Sequence, residues 1–283
     1  MGSRSRRGAF GMTLVAFCLL PSACSFLRSL DDLPCHQDTE CTEGRCDEQA
    51  GVCEPCPAEM RLERFANGTA FCIDQFEVTQ EQYWAFLQGM VGGVGRDHDL
   101  DPETCGTNFS YDPNADGCTA GFAPSDTASA TLPVVCIDFC DALAFCASEG
   151  KRLCGARGGQ RLRVEQAKNL DFDEWLLACS DGSASRATDK DTVYYKECNV
   201  NVDAPAEVGS HAGCHTDAWV FDIVGNVSEW VNTCGIANGE FRCGVLGGSF
   251  RSMTGAESGC VVVSAAHRPS ERSDSTGARC CLD

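Results

Sequence analysis

At 283 residues the chain is long enough for one large domain and a small module, and its 43% hydrophobic content is ordinary for a globular protein. Its 22 cysteines are not ordinary; so many thiols belong to an oxidising compartment and a disulfide-built fold, which excludes a typical cytosolic protein. A formal net charge of −19 excludes nucleic acid as a partner, because binding phosphates needs a basic surface.

The first residues read as an address. Arg4, Arg6 and Arg7 precede the apolar run AFGMTLVAFCLL (9–20), which is too short to span a bilayer. The following PSAC (21–24) resembles the cleavage box of bacterial lipoproteins, with Pro21 where leucine is usual and Leu20 one place earlier. The expected organisation is a signal peptide over 1–23, a lipid-anchored linker over 24–34 with the lipid on Cys24, a cysteine-rich knot over 35–56 and a main domain over 57–283. Plain secretion after Ala23 is the alternative. The implied place is the bacterial cell envelope, as an outer-membrane lipoprotein or as a secreted protein, and the lipid would be the contact with the membrane. Ser25, rather than aspartate, after Cys24 favours the outer membrane by analogy with bacterial sorting.

Cys35, Cys41, Cys46, Cys53 and Cys56 crowd a segment with almost no large apolar side chains, so disulfides must hold it. Cys53 and Cys56 form a CxxC, but one such pair without a second at finger spacing is a weak zinc signal. With Cys24 set aside, the mature chain has five cysteines in the knot and fifteen beyond it. Both groups are odd, so full pairing requires a bridge between them. Cys56 with Cys72 is expected, because CPAEMRLERFANGTAFC reads as strand, turn at Asn67-Gly68 and returning strand.

In the main domain, FCIDQFEVT alternates as a strand. Thr79 and Gln82 form a capping box for a helix that buries Tyr83, Phe86 and Leu87. Residues 91–131 read as a long polar loop. Within it DPNADG (112–117) has the opening of a calcium loop, but Ala123 stands where the bidentate glutamate belongs, so a polar turn is the simpler reading. A second helix starts at the N-cap Asp138, packs Leu143, Phe145 and Cys146 inward and stops at Gly150. A third is expected from about 164 to 179, followed by short strands and turns. His211 and His215 have metal-pair spacing, but Gly213 between them points to a loop.

Five pieces in order carry a resemblance: FCIDQFEVTQEQYWAFL (71–87), LPVVCIDFCDALAFCASEGKRLC (132–154), DIVGNVSEWV (222–231), LGGSF (246–250) and GARCC (277–281). Together they resemble the formylglycine-generating enzyme family, the sulfatase-modifying-factor domain, over residues 57–283, in a cysteine-rich secreted bacterial branch. The resemblance implies a compact α+β, C-type-lectin-like domain with little regular secondary structure, here carrying a small disulfide-rich N-terminal module.

It also implies sites. Asp222 and Glu229 bracket a turn at Gly225, and two hard carboxylates flanking turn carbonyls suit calcium. Carried over from the family, the calcium ligands would be the side chains of Asp222 and Glu229 and the main chain of Gly225 and Val227. A second calcium site would start at Asn199 and Val200, although the loop for its other ligands is short here. The family's enzyme oxidises a substrate cysteine with copper held by two thiolates, which are soft ligands for Cu(I). Ser252 and Glu257 occupy those two positions. Ser249 matches the family's active-site serine, and Cys260 is the nearest thiol. Cys260 either pairs in a disulfide, with Cys243 or Cys234 as possible partners, or supports a rebuilt copper site.

The family's iron-dependent branch needs a histidine triad in a helical domain, and this chain's five histidines are scattered. The leading reading is therefore a non-catalytic, calcium-stabilised domain that binds an unknown protein, peptide or glycan, or takes part in surface assembly. The alternative is a formylglycine-generating-type oxidase acting on protein cysteine.

Overall fold

The computed structural model describes residues 35, 38–41, 45–47, 52–91, 102–106, 108, 110–113, 118, 129–163, 166–185, 197–237, 239–253 and 259–283. The expected signal peptide, the Cys24 anchor and its linker lie outside the described residues, as do positions 114–117 of DPNADG and Glu257.

The knot holds a short 3-10 turn, Asp38–Glu40, and an antiparallel ribbon of β1 (Arg45–Asp47) and β2 (Val52–Glu54). Its bridges run Cys35–Cys46 and Cys41–Cys53. The sulfurs of Cys35, Cys41 and Cys46 lie within 4.8 Å of one another only because they belong to these two bonds. Cys56 is bonded to Cys72, so the CxxC is split between two bridges and has no thiolate for zinc.

β3 (Met60–Arg64) and β4 (Ala70–Asp74) form an antiparallel hairpin. At its turn Gly68 has φ 94°, and a Cβ there would lie 2.1 Å from Thr39 of the knot. β4 continues into a four-stranded antiparallel sheet, β3-β4-β10-β5, with β5 at Arg152–Leu153 and β10 at Cys280–Leu282. The second sheet, β8-β7-β6-β9, contains β6 (Ser228–Ala237), β7 (Glu240–Gly247), β8 (Gly259–His267) and β9 (Thr276–Ala278). β9 runs parallel to β6. Strands β6 to β8 are eight to ten residues long where the sequence predicted short ones. Register shifts at Val231/Cys234 and between Cys243 and Gly247 break the two-residue period by which a strand is recognised.

Helix α1 (Gln80–Val91) begins at the expected box: Gln82 N–H donates to Thr79 Oγ1 (3.2 Å), and Gln82 Oε1 accepts from Thr79 N–H (2.9 Å). A four-residue α2 (Pro102–Cys105) follows. α3 (Phe139–Ser148) is capped by Asp138 and Asp141 in a reciprocal box. Tyr83, Phe86 and Phe145 stack between α1 and α3 with ring centroids 5.2–5.7 Å apart. α4 covers only Glu174–Ser180, not 164–179. Asn169 Oδ1 accepts from Asp171 N–H, and Asp173 Oδ2 from Lys168 N–H. These local bonds hold a turn instead, until Asp173 caps the helix.

Every cysteine from Cys35 onward is bridged, in ten disulfides. Cys146–Cys280 and Cys154–Cys281 close loops of 134 and 127 residues and fasten β10 to α3 and to the end of β5. In the chain-entropy account the first such closure contributes on the order of 4–5 kcal/mol. Ten disulfides mark an extracytoplasmic protein. Among the described residues no helix is long and apolar enough to cross a membrane.

Glu63 on β3 has a buried Oε1 without a hydrogen-bond partner. Burial, with Asp181 nearby, pushes its carboxyl up to about 8. Its folded pKa lies above the unfolded value, so the fold binds the proton more tightly, and stability falls as pH rises from about 4.5 through about 8. Glu63→Gln should raise the unfolding midpoint at pH near 9 by about 3–6 °C and leave that at pH near 4.5 unchanged. Thermal melts of both proteins across this pH range check it.

Candidate functional site

The turn 222–227 that leads into β6 is left-handed at three places, Asp222 (φ 55°), Gly225 (φ 83°) and Asn226 (φ 49°). Gly225 is required: a Cβ would meet Val200 Cγ1 at 2.7 Å and the Asn199 carbonyl at 2.9 Å. Asn226 is buried, and its amide group is spent on holding the turn. Its Oδ1 accepts from Asn199 Nδ2 (3.0 Å) and Ala206 N–H (2.8 Å), while its Nδ2 donates to Glu77 Oε2 (2.6 Å). The other Glu77 oxygen accepts from Val227 N–H (3.0 Å). Glu77 thus caps the turn from the segment that follows β4.

Two residues further, Glu229 meets Arg279, and both are fully buried. Arg279 Nη2 donates to Glu229 Oε1 at 2.7 Å, and Nε lies 3.0 and 3.1 Å from the two oxygens. Trp175 Nε1 donates to Oε2 at 2.7 Å. The rest of the guanidinium reaches main-chain carbonyls, Asp74 at 2.9 Å and Phe221 at 2.7 Å. Burial holds the Glu77 carboxyl well above the carboxylate range, and the charges of Asp222 and Glu229 add to the rise. Burial raises Asp222 as well.

The Glu229 end of the expected calcium set does not fit this geometry. A carboxylate offers about four lone-pair directions, and Glu229 already receives three contacts from Arg279 and one from Trp175. The cation beside it is a guanidinium. Asp222 Oδ2 accepts from Gly209 N–H (2.6 Å), and its Oδ1 is buried without a hydrogen-bond partner. Gly225 and Val227 serve the turn and β6. The second set is also spent on packing. The Asn199 carbonyl accepts from Asn226 N–H, Asn199 Nδ2 donates to Ala204 O and Asn226 Oδ1, and Val200 lies against Gly225. Outside the bridged knot, no three His, Cys, Asp or Glu ligand atoms among the described residues come within 4.8 Å of one another.

The copper position does not fit either. Ser252 Oγ accepts from Ser249 N–H (3.0 Å), and Ser249 Oγ accepts from Arg251 N–H (3.3 Å), so both hydroxyls stitch a turn. Cys260 is bonded to Cys179 of α4, not to Cys243 or Cys234, which bridge each other across β6 and β7. The ends of CGVLGGSFRSMTGAESGC are therefore tied to two different elements rather than drawn together. His215 stacks on Trp219, with centroids 4.3 Å apart, and its Nδ1 meets the Thr216 carbonyl at 2.8 Å, an aromatic role rather than a ligand role.

Glu77 and Arg279 are the residues of this network that sequence reasoning missed. GARC was visible only as a motif, and nothing in FEVT distinguishes a core glutamate from a surface one. Glu229→Gln would leave the buried Arg279 without its anion and should cost about 3–5 kcal/mol of unfolding free energy, read by denaturant melts. Because Arg279 supplies the positive charge at Glu229, chelation of divalent cations should move the wild-type melting midpoint by no more than about 1 °C. A larger drop that added calcium reverses would return the metal to the turn.

A family model described as the sulfatase-modifying factor enzyme 1-like domain matches residues 54–283. No curated protein matches the chain. Among solved structures the chain is similar to CarF, at 22% identity over 76% of this chain and 86% of that one, with a TM-score of 0.51. It is similar also to PvdO from Pseudomonas aeruginosa (22%; 76% and 81%; 0.48) and to variable protein 1 of Treponema denticola (18%; 80% and 92%; 0.44). At 22% identity the likeness to CarF is one of fold. With its motifs in order and the family model matching most of its length, the chain belongs to the sulfatase-modifying factor enzyme 1-like family, built on a compact α+β, C-type-lectin-like domain.

Proposed function

We propose that this protein is a non-catalytic member of its family, a binding or assembly module of the bacterial cell envelope, held there through lipid on Cys24. One observation carries the reading: the Cys179–Cys260 disulfide. Cys260 is the nearest thiol to the family's copper position, and its sulfur is committed to α4. Ser252 supplies a hard oxygen where a soft thiolate is needed. Ser249 Oγ accepts from Arg251 N–H, and its own N–H donates to Ser252 Oγ, so the serine is engaged in the turn. The oxidase alternative requires two thiolates in one place, and the bridging of every cysteine from Cys35 onward argues against it. The N-terminal RSRRGAF and PSAC segments support envelope targeting, and the disulfide content agrees with that compartment.

A thiol census tests this reading. Alkylation of the mature protein, native and denatured, followed by mass mapping should find Cys260 and Cys179 unreactive until a reductant is added. Oxygen uptake with a cysteine-containing peptide and Cu(I) should stay at the protein-free rate. A free Cys260 together with copper-dependent turnover would overturn the proposal.

A further inference from the structure

The hairpin that precedes the Glu229 turn carries a feature unused by the core. His215 pairs with Phe221 across it, and Thr216 and Val220 close the loop by exchanging hydrogen bonds. At its tip Trp219 has φ 66°, the left-handed region that a bulky side chain rarely adopts. Its indole is 54% exposed and lies parallel to the His215 ring, interplanar angle 7°. Phe221 sits 5.3 Å from His215, and Phe76 5.3 Å from Phe221, so the exposed indole stands at the end of a run of rings. The platform is rigid. Cys214 beside it is bridged to Cys198, and the Phe221 carbonyl is held by Arg279. Exposing a large apolar ring on a strained backbone opposes stability, and such features concentrate where a ligand is met.

Along this stretch of the chain the charge is of one sign. Between Lys196 and Arg242 the chain has no lysine or arginine and has seven acids, of which Glu197, Asp203, Glu207, Asp217 and Glu240 are exposed. Asp217 lies two residues from Trp219, and its N–H is held by Asp181 Oδ1 at 2.8 Å. An electron-rich ring face bordered by carboxylates attracts cations, arginine and lysine above all.

We propose that the Trp219–His215 stack, with Asp217 and Glu207, is a docking surface for a basic segment of a partner protein. A side-chain cation would lie over the indole and its neighbours along the partner would meet the acidic loops. This assignment rests on the binding role proposed above and names the partner's chemistry.

The test is fluorescence anisotropy of labelled octaarginine and octalysine titrated with the full protein, with octaglutamate and a neutral oligosaccharide as comparison ligands. The basic peptides should bind, and should weaken steeply between about 50 and about 300 mM salt. Trp219→Ala should weaken them about tenfold, and Asp217→Asn with Glu207→Gln should also weaken them. Glu81→Gln with Glu149→Gln, which removes equal charge from α1 and the end of α3, should not. Trp219→Gly, which suits the left-handed backbone, should lose binding as Trp219→Ala does, with a melting midpoint within about 3 °C of wild type. Equal binding by wild type and Trp219→Ala overturns the proposal, as does equal loss from the distant charge pair, which would mean general acidity alone. Binding of the oligosaccharide but not the basic peptides overturns it too, while leaving the binding reading intact. Copper-dependent turnover would instead defeat the non-catalytic reading, whatever Trp219 does.

Discussion

The guanidinium of Arg279 is buried against Glu229, and the pieces of the domain that lie far apart in sequence meet on that pair. Arg279 joins β9 to β10 and bonds to main-chain carbonyls at the end of β4 and just before the 222–227 turn. Glu229 is in β6 and takes a further hydrogen bond from Trp175 of α4. A buried ion pair is costly to desolvate and tolerates little geometric error, so it adds less to net stability than it demands in precision. Once formed, it sets where the two sheets and α4 lie relative to one another. Glu77 extends the same constraint to the turn, with its two oxygens bonded to Asn226 and Val227.

Disulfides supply what a chain with so many turns and short elements lacks. Several elements are three to five residues long, and such pieces cannot hold themselves together by backbone bonding alone. The bridges fall where they matter. Adjacent Cys280 and Cys281 tie one short strand in two directions, Cys179–Cys260 joins α4 to β8, and Cys56–Cys72 makes the knot an extension of the first sheet. The same bonds use up the thiols. A fold hardened in this way retains no free cysteine from Cys35 onward.

The glycine-rich stretch that follows Cys243 serves the same packing. Gly247 has φ 91°, and a Cβ there would meet the Ile223 carbonyl at 2.8 Å, so its freedom serves close packing against the turn that leads to β6. Ser249 and Ser252 fold the next residues back on themselves. What remains for a partner is the surface, where the charge is strongly negative and one indole is presented on a backbone that favours glycine.

The sequence by itself determined the family, the α+β class, the knot, the capping residues of α1 and α3, the β3–β4 hairpin and the necessity of a bridge out of the knot. Each of these rests on neighbours in the chain or on counting: a capping box spans four residues, a hairpin turn needs only Asn-Gly, and an odd number of thiols must reach elsewhere. The tertiary structure alone decided that Cys260 pairs with Cys179, that Glu229 pairs with Arg279, and that Glu77 is a core residue. Those partners are separated by about fifty to one hundred and fifty residues. No local pattern records which distant donor will fill a carboxylate's lone pairs. The start of α4 departs from the expected position near 164 for a related reason. The side chains of Asn169 and Asp173 bond the backbone locally and stop a helix from forming before Glu174.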